Sequence, residues 1–230
     1  MEYRILPLRR EYAWAVPTQE ALDTIKEFSP NGVVEIGAGT GYWASLLQQR
    51  GVNVIAYDKF PTHCSELNPY HWVGDRWMNA VPFTLVLSGG PDSCSGHTCA
   101  ARSLLLCFPP KETDEGDNDD KEDGDDDDDD GIAQEGKEKN KNTKAPKVIN
   151  TMGVDAVKSY QGECVIYVGE WKGQTSRMCV YGETSGALLQ KELSDHFTLA
   201  RVVKLPTWPF ASDNLQVWRR RTSECNKKLM

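Results

Sequence analysis

Three glycines at alternate positions, Gly37, Gly39 and Gly41, are the residues of this sequence best suited to binding a ligand. They follow a short apolar run, Val33–Ile36, and precede a segment with helical spacing that starts near Trp43. Glycine adopts positive φ without steric cost and lets a ligand approach the backbone closely. The N-terminus of a following helix adds free N–H groups and partial positive charge. The glycines therefore predict a nucleotide-binding corner at the carboxyl edge of a sheet.

An acidic residue, Asp58, closes the next apolar run, 52–57, roughly 20 residues after Glu35. A carboxylate at the tip of the second strand can accept hydrogen bonds from both hydroxyls of a ribose. The spacing G-x-G-x-G differs from the G-x-G-x-x-G of dinucleotide-binding folds, which disfavours a nicotinamide-dependent dehydrogenase. The alternative is that the glycine-rich turn only joins a strand to a helix.

Seven short apolar runs of β-forming residues indicate the strands that must position this corner. They are 33–36, 52–57, 84–87, 103–107, 164–168, 199–204 and 215–218. Helical spacing appears at 18–28, from residue 43, around 154–157 and at 185–197, whereas 89–102 shows no helical pattern. Strands alternating with helices predict an α/β fold, a three-layer αβα sandwich around a mostly parallel sheet. The last two runs are joined too closely for a crossover helix, so we expect them to pair antiparallel at one edge.

The charge of the chain is concentrated in one segment. Residues 111–147 hold 16 acidic and 7 basic side chains, whereas the whole chain has a net charge of −8. Low complexity and dense like charge predict that residues 112–147 are a disordered insertion within a single domain, 1–230. The nearly neutral remainder does not indicate nucleic-acid binding, although it does not exclude it.

Composition also bears on membranes, metals and compartment. The sequence has no run of eighteen apolar residues, so we predict no membrane span. The N-terminal residues do not have the pattern of a secretory signal. Seven irregularly spaced cysteines favour reduced thiols in the cytoplasm or nucleus. The segment C-S-G-H-T-C, residues 94–99, has no second ligand pair at regular spacing, so we predict no metal site.

The motif E-I-G-A-G-T-G at residues 35–41, followed by Asp58, resembles the first motif of the class I S-adenosylmethionine-dependent methyltransferases. Together with L-L-x-C-F-P-P and Y-V-G-E-W, it also resembles a group of methyltransferase-like proteins of fungi, algae and protists. The resemblance implies a Rossmann-like, seven-stranded sheet with an antiparallel C-terminal hairpin. It implies that S-adenosylmethionine lies over the first two strands and the acceptor over the fourth. The implied cofactor-binding residues are Glu35, Gly37, Ala38, Gly39, Gly41, Asp58 and, as an adenine contact, Asp75, which is alternatively a plain loop residue.

The end of the fourth strand, Phe108-Pro109-Pro110, lies where the resemblance places the acceptor. Family members that methylate exocyclic or amide nitrogens have Asp, Asn or Ser before the two prolines. This chain has Phe108 there, so nitrogen methylation does not carry over. Phe108 either stacks on a flat substrate or packs the strand end. Glu170 and Trp171, after the fifth strand, are further candidates for the substrate side, and the alternative for Glu170 is that it caps a loop.

Two functions fit these features. The first is an S-adenosylmethionine-dependent methyltransferase acting on an unidentified small molecule, protein or RNA. The second is a noncatalytic methyltransferase-like domain that acts as a binding or assembly factor. Methyl transfer depends chiefly on aligning the acceptor with the methyl group and sulfur. A general base is needed only for some acceptors, so no catalytic residue is predicted.

Overall fold

A computed structural model of the chain describes residues 2–74, 78–112, 150–171, 184, 186–208 and 211–221. The strands are β1 (Val33–Ile36), β2 (Val54–Asp58), β3 (Trp72–Val73), β4 (Met78–Asn79), β5 (Leu87–Ser88), β6 (Ser103–Cys107), β7 (Cys164–Gly169), β8 (Phe197–Lys204) and β9 (Asn214–Arg220). The helices are α1 (Glu2–Glu11), α2 (Gln19–Phe28), α3 (Tyr42–Gln48), α4 (His97–Ala100), α5 (Met152–Ser159) and α6 (Ala187–His196), with a 3-10 helix at Pro91–Cys94.

Seven of these strands form one sheet in the order β5-β2-β1-β6-β7-β9-β8. The first five strands of that order run parallel to one another. Strand β9 is antiparallel to both of its neighbours, β7 and β8. The fold class predicted from the sequence, with an antiparallel C-terminal hairpin at one edge, is confirmed. Strands β3 and β4 form a separate antiparallel pair.

The central strands are buried on both faces, as their continuous apolar runs require. Every residue of β1 and of β7 is buried. One face of the sheet packs against α2 and α3, where Ile25 and Leu47 join the core. The other packs against α5 and α6 through Val157 and Leu189. The carboxyl ends of the parallel strands consequently open at one edge between the two helical layers.

Helices α2 and α3 begin where local sequence signals place them. Thr18 precedes α2 in extended conformation, and its hydroxyl accepts a hydrogen bond from the Ala21 N–H at 3.1 Å. This side-chain cap satisfies one of the unpaired donors of the first turn. Helix α3 begins at Tyr42, immediately after Gly41, which has a φ of 73°. The prediction that the glycine-rich turn leads directly into a helix is therefore correct.

The third strand of the sheet differs from the prediction of 84–87. Strand β5 contains only Leu87 and Ser88, which pair with Tyr57 and Asp58 of β2. Leu85 is 68% exposed, so its apolar side chain does not mark a buried strand. An edge strand pairs with a single neighbour. Strand β5 therefore ends where β2 ends, at the pairing of Ser88 with Asp58.

Two further elements were not expected. The segment 89–102 forms the short 3-10 helix and α4, each four residues long, which is too short to show a helical repeat. Helix α1 contains Pro7 and has no apolar stripe in its sequence. Residues 113–147 of the predicted insertion lie outside the described residues, whereas Glu112 lies inside them and is 4% exposed.

The segment after α1 is attached to the rest of the domain through its backbone carbonyls. The Thr40 hydroxyl donates to the Tyr12 carbonyl at 2.6 Å. The indole N–H of Trp208 donates to the Trp14 carbonyl at 3.0 Å. These bonds fix the N-terminal segment beside the glycine-rich turn.

The described ranges contain neither a membrane-spanning helix nor a cluster of metal-ligating side chains. No helix there has the length and apolar character needed to cross a bilayer. The same ranges contain no group of three or more His, Cys, Asp or Glu side chains that could hold a metal ion.

Candidate active site

The glycine-rich turn is held against the end of β2 by backbone hydrogen bonds. Gly37, Gly39 and Gly41 have φ values of 79°, 56° and 73°, in the left-handed region that favours glycine. The N–H groups of Gly37 and Ala38 donate to the Tyr57 carbonyl at 2.8 and 3.0 Å. The turn therefore places bare backbone beside the carboxyl end of β2, where Asp58 follows.

The Asp58 carboxylate faces the turn. Its Oδ2 accepts a hydrogen bond from the Gly39 N–H at 2.8 Å. Its Oδ1 accepts from the Phe60 N–H at 2.8 Å and from the Asn68 side chain at 3.3 Å. Each carboxylate oxygen has two lone pairs, so Asp58 keeps acceptor capacity toward the cavity. The structure thus places Asp58, the predicted hydrogen-bond partner of the ribose hydroxyls, next to the glycine turn.

Glu35 lies at the base of the same corner and is 1% exposed. Its Oε2 has no hydrogen-bond partner among the residues described. Burial, and secondarily the charge of Asp58, raise the pKa of Glu35 to about 8. The carboxyl is therefore mostly protonated at neutral pH until a cation arrives beside it. Glu35 and Ala38 line a small cavity of about 30 Å³ behind the turn.

A larger cavity of about 740 Å³ opens at the carboxyl edge of the sheet, which is within the usual size of a ligand site. Its wall includes Gly37, Gly39 and Asp58 on one side and the 108–110 segment on the other. The predicted cofactor side and the predicted acceptor side therefore share one cavity. Gly41 is set back from it, because a Cβ there would meet Thr84 and Val86 instead.

Phe108 has a φ of 55°, and it is the one non-glycine residue with positive φ in the described part of the chain. Its N–H donates to the Val168 carbonyl at 2.7 Å, which extends the β6–β7 pairing past the end of β6. Its ring stacks on Trp14, with centroids 5.8 Å apart and planes at 25°. The left-handed conformation costs roughly 1–2 kcal/mol for such a residue. Both aromatic residues line the cavity.

Glu170 and Trp171 are not brought to the cavity. Glu170 is 1% exposed, and its Oε1 accepts a hydrogen bond from the Ser212 N–H at 2.7 Å. Its backbone N–H donates to the Thr184 hydroxyl at 2.9 Å. These contacts match the alternative that Glu170 caps a loop. The Trp171 ring packs against Tyr167 and Trp218, away from the glycine turn.

The comparisons with known proteins identify the family. A family model described as a methyltransferase domain matches residues 8–157, which is more than half of the chain. The chain belongs to this methyltransferase family. The resemblance to the class I S-adenosylmethionine-dependent methyltransferases is thereby confirmed. The matched region contains the glycine turn, Asp58 and the 108–110 segment, so the methyltransferase domain includes both sides of the cavity.

Solved structures show distant similarity to the methyltransferase domain. A 1,6-didemethyltoxoflavin-N1-methyltransferase of Burkholderia thailandensis is 15% identical, with a TM-score of 0.47 over 89% of this chain and 78% of that chain. A magnesium protoporphyrin IX methyltransferase of Synechocystis PCC 6803 is 12% identical, with a TM-score of 0.43 over 87% and 77%. An rRNA methylase of Streptococcus thermophilus is 10% identical, with a TM-score of 0.43 over 90% and 100%. No curated protein matches. Similarity at this level does not extend to ligands or substrates.

Three more residues bear on the site: one was predicted from the sequence and two were not. Asp75, the proposed adenine contact, lies outside the described residues. His71 and Asn68 were not predicted, because they belong to an irregular segment without a recognisable motif. The Asn68-Pro69 pair is a turn signal, and Asn68 Oδ1 does accept hydrogen bonds from the Tyr70 and His71 N–H groups. That turn brings His71 into the cavity wall.

Proposed function

We propose that this methyltransferase domain binds S-adenosylmethionine at the glycine corner and transfers its methyl group to an acceptor at the 108–110 segment. The observation that carries the proposal is the single cavity of about 740 Å³ that joins the two. In-line transfer requires donor and acceptor in one enclosed space at fixed distance. A cavity that reached only the glycine corner would support binding of the cofactor without reaction.

The residues present fit the cofactor. Gly39 lines the cavity, and only glycine fits there, because a Cβ at that position would lie 2.3 Å from the His71 ring. Asp58 offers acceptor oxygens suited to two ribose hydroxyls. The buried Glu35 has an oxygen without a partner among the described side chains, and a cationic ligand stabilises its ionised form. Gly37 and Ala38 supply the rest of the turn, Gly41 sets its exit into α3, and Asp75 remains the proposed adenine contact.

The bound cofactor supplies an activated methyl group on a sulfonium. The chain then has to hold the acceptor in line and exclude water. Phe108 and Trp14 form a rigid aromatic wall at the end of β6. Pro109 and Pro110 stiffen the loop that follows, since proline fixes φ. Glu170 and Trp171 lie outside this arrangement, and Glu170 reaches it only indirectly, through its hydrogen bond with Thr184 of the cavity wall.

Calorimetry with S-adenosylmethionine and S-adenosylhomocysteine tests the cofactor half of the proposal. We expect the wild type to bind both and Gly39→Ala to lose binding at least about tenfold, a loss of 1.4 kcal/mol or more. Gly51→Ala is the matched control, because Gly51 also has positive φ, 78°, but a Cβ there meets nothing within 4 Å. Both variants incur backbone strain, and only Gly39→Ala intrudes on the corner.

The outcomes separate the two functions considered. Wild type that binds neither compound would favour the noncatalytic binding or assembly domain. Equal binding by Gly39→Ala and wild type would show that the glycine corner is not the cofactor site. The acceptor is then sought by screening cell extracts for methyl groups that wild type adds and Gly39→Ala does not.

A further inference from the structure

His71 lies between the two halves of the cavity. Its ring packs directly on Gly39, whose added Cβ would lie 2.3 Å from Nε2 and 2.5 Å from Cδ2. It also lines the smaller cavity together with Trp14 and Phe108. A side chain that packs on the glycine corner and lines a cavity together with the aromatic wall is adjacent to the position where a methyl group would pass from one to the other.

The tautomer of His71 is fixed by its surroundings. Its Nδ1 lies 2.9 Å from the Arg10 carbonyl, which only accepts, so Nδ1 carries the proton. In the neutral ring, Nε2 is then the basic nitrogen. No residue in the described ranges forms a hydrogen bond with Nε2, and the ring is in the wall of the main cavity. Nε2 is also the ring atom nearest to the Cβ position of Gly39, so its lone pair lies beside the glycine corner without a hydrogen-bond partner in those ranges.

The charge state of His71 suits a base. Burial lowers its pKa from the ordinary 6.5, and the Arg10 carbonyl and the charge of Asp58 oppose that shift. The ring is thus neutral at pH 7. Among the other titratable groups nearby, Glu35 is mostly protonated, and burial raises the thiol pKa of Cys107 well above its usual value. Lys59, Tyr70 and Lys111 also line the main cavity. Asp58 is the charged group that acts on the ring, and its charge favours the imidazolium that forms once a proton is taken.

We propose that His71 is the general base of the methyl transfer and that the acceptor is an aromatic hydroxyl; this inference rests on the proposed function. The cavity wall presents the aromatic rings of Trp14, Phe60, Tyr70 and Phe108, which suit a flat ring. A neutral amine is nucleophilic without a base, whereas a phenol near pH 7 must lose its proton as it reacts. The segment at the end of β6, residues 108–110, has no side-chain acceptor for an amine.

The step balances without another reactant. The acceptor oxygen forms a bond to the methyl carbon as the carbon–sulfur bond breaks, and that electron pair stays on sulfur as a neutral thioether. The O–H proton passes to Nε2 of His71 and gives an imidazolium. Solvent takes this proton when the product leaves, which restores the neutral ring.

The test compares phenol with 4-nitrophenol, which is already substantially ionised near neutral pH. The variant is His71→Asn, whose side-chain amide can still donate to the Arg10 carbonyl but offers no basic nitrogen. With phenol we expect its kcat to fall about 10²–10⁴-fold, the usual contribution of a general base. With 4-nitrophenolate we expect kcat to stay near that of wild type. His97→Asn, at an exposed position of α4, is the control.

A second measurement needs no turnover. Binding of 4-nitrophenolate to the protein with S-adenosylhomocysteine should raise the pKa of the His71 ring, because an adjacent anion favours the imidazolium. We expect this shift, followed by NMR of the ring protons, in wild type and His97→Asn, and the shifting signal should be missing in His71→Asn. For phenol, kcat/KM should rise with pH through a pKa below 6.5 in wild type, and this limb should be missing in His71→Asn.

Each contrary result has a distinct meaning. Equal loss of activity with both acceptors, or a His71 pKa that 4-nitrophenolate leaves unchanged, would overturn the assignment of His71 as base. Binding of S-adenosylmethionine with no methylation of either phenol would overturn the aromatic hydroxyl as acceptor and leave the proposed function standing. Failure to bind S-adenosylmethionine would instead refute the proposed function.

Discussion

The Glu35 carboxyl at the end of β1 couples stability to pH. Its pKa is about 8 in the folded chain against 4.5 for the free group, so the folded state retains a proton that the unfolded state releases. The stability that this proton contributes is fully present below pH 4.5 and is lost as the pH rises through 8. Each proton held in this way makes the free energy of unfolding fall by up to about 1.4 kcal/mol per pH unit.

Replacing Glu35 by Gln should therefore flatten the decline of stability between pH 5 and pH 8. Gln has the same shape and does not titrate in this range. Asp213 has a pKa raised to about 7 by burial and by Glu170, so it contributes a slope of the same sign and part of the decline should remain. Urea unfolding at several pH values measures both slopes. Parallel slopes for Glu35→Gln and wild type would contradict the raised pKa of Glu35.

Several site residues could be predicted from the sequence because their motif lies at the end of a buried strand. Gly39 and Asp58 follow β1 and close β2, and Phe108 follows β6, so the parallel sheet brings them to one edge. His71 follows no such strand. It reaches the cavity through the Asn68 turn and its bond to the Arg10 carbonyl, a contact 61 residues away in sequence. The Asn68-Pro69 pair signals a turn, but nothing in the sequence shows that this turn faces the Arg10 carbonyl.

At the level of elements, α6 begins with help from a residue far away in the chain. Glu112 Oε2 accepts a hydrogen bond from the Leu188 N–H in the first turn, at 3.1 Å. The residue before α6, Gly186, leaves room for this carboxylate, since a Cβ there would lie 1.8 Å from Glu112 Oε2. A carboxylate at a helix N-terminus satisfies a free donor and interacts favourably with the helix dipole.

We expect Glu112→Ala to lower the free energy of unfolding by about 1 kcal/mol, the usual cost of losing an N-terminal cap. Glu112→Gln keeps an accepting oxygen without the charge and should lose less. Chemical denaturation of the three proteins gives the comparison. If Glu112→Ala were as stable as wild type, the bond to Leu188 would have no role in holding α6.

The buried elements could be predicted from the sequence more accurately than the exposed ones. Strands β1 and β6 have the predicted bounds, because a short and mainly apolar run is buried on both faces. The edge strand β5 does not, because Val86 is buried while Leu85 and Leu87 are exposed. In an edge strand, the apolar pattern does not show which residues pair with the neighbouring strand. Helix α1 was missed because its place is set by contacts with β3 rather than by an amphipathic pattern.

At the scale of the whole molecule, the acidic segment differs from the rest of the chain in its net charge. Deleting residues 113–147, with a short Gly-Ser linker between Glu112 and residue 148, should leave the melting temperature and the affinity for S-adenosylmethionine unchanged. The deleted stretch contains 15 acidic and 6 basic residues, so the net charge would move from −8 to about +1. Solubility near neutral pH should fall, because net charge keeps molecules apart.

Retaining Glu112 in that deletion is essential to its interpretation, because Glu112 holds α6. Scanning fluorimetry and calorimetry provide the two readouts, and a second deletion that also removes Glu112 is the matched control. Loss of cooperative melting in the shorter deletion would show that the acidic segment belongs to the folded domain.

The hydrogen bonds that fix the segment after α1 are made to its carbonyls, by Thr40 and Trp208, and every amino acid carries a carbonyl. These backbone anchors therefore do not depend on the side chains of Tyr12 and Trp14, which make ring contacts of their own with Tyr42 and Phe108. A substitution at either position would remove a ring contact and leave the backbone anchor in place. In the proposed reaction, a change of acceptor specificity would therefore need altered side chains in this segment but no change at Thr40 or Trp208.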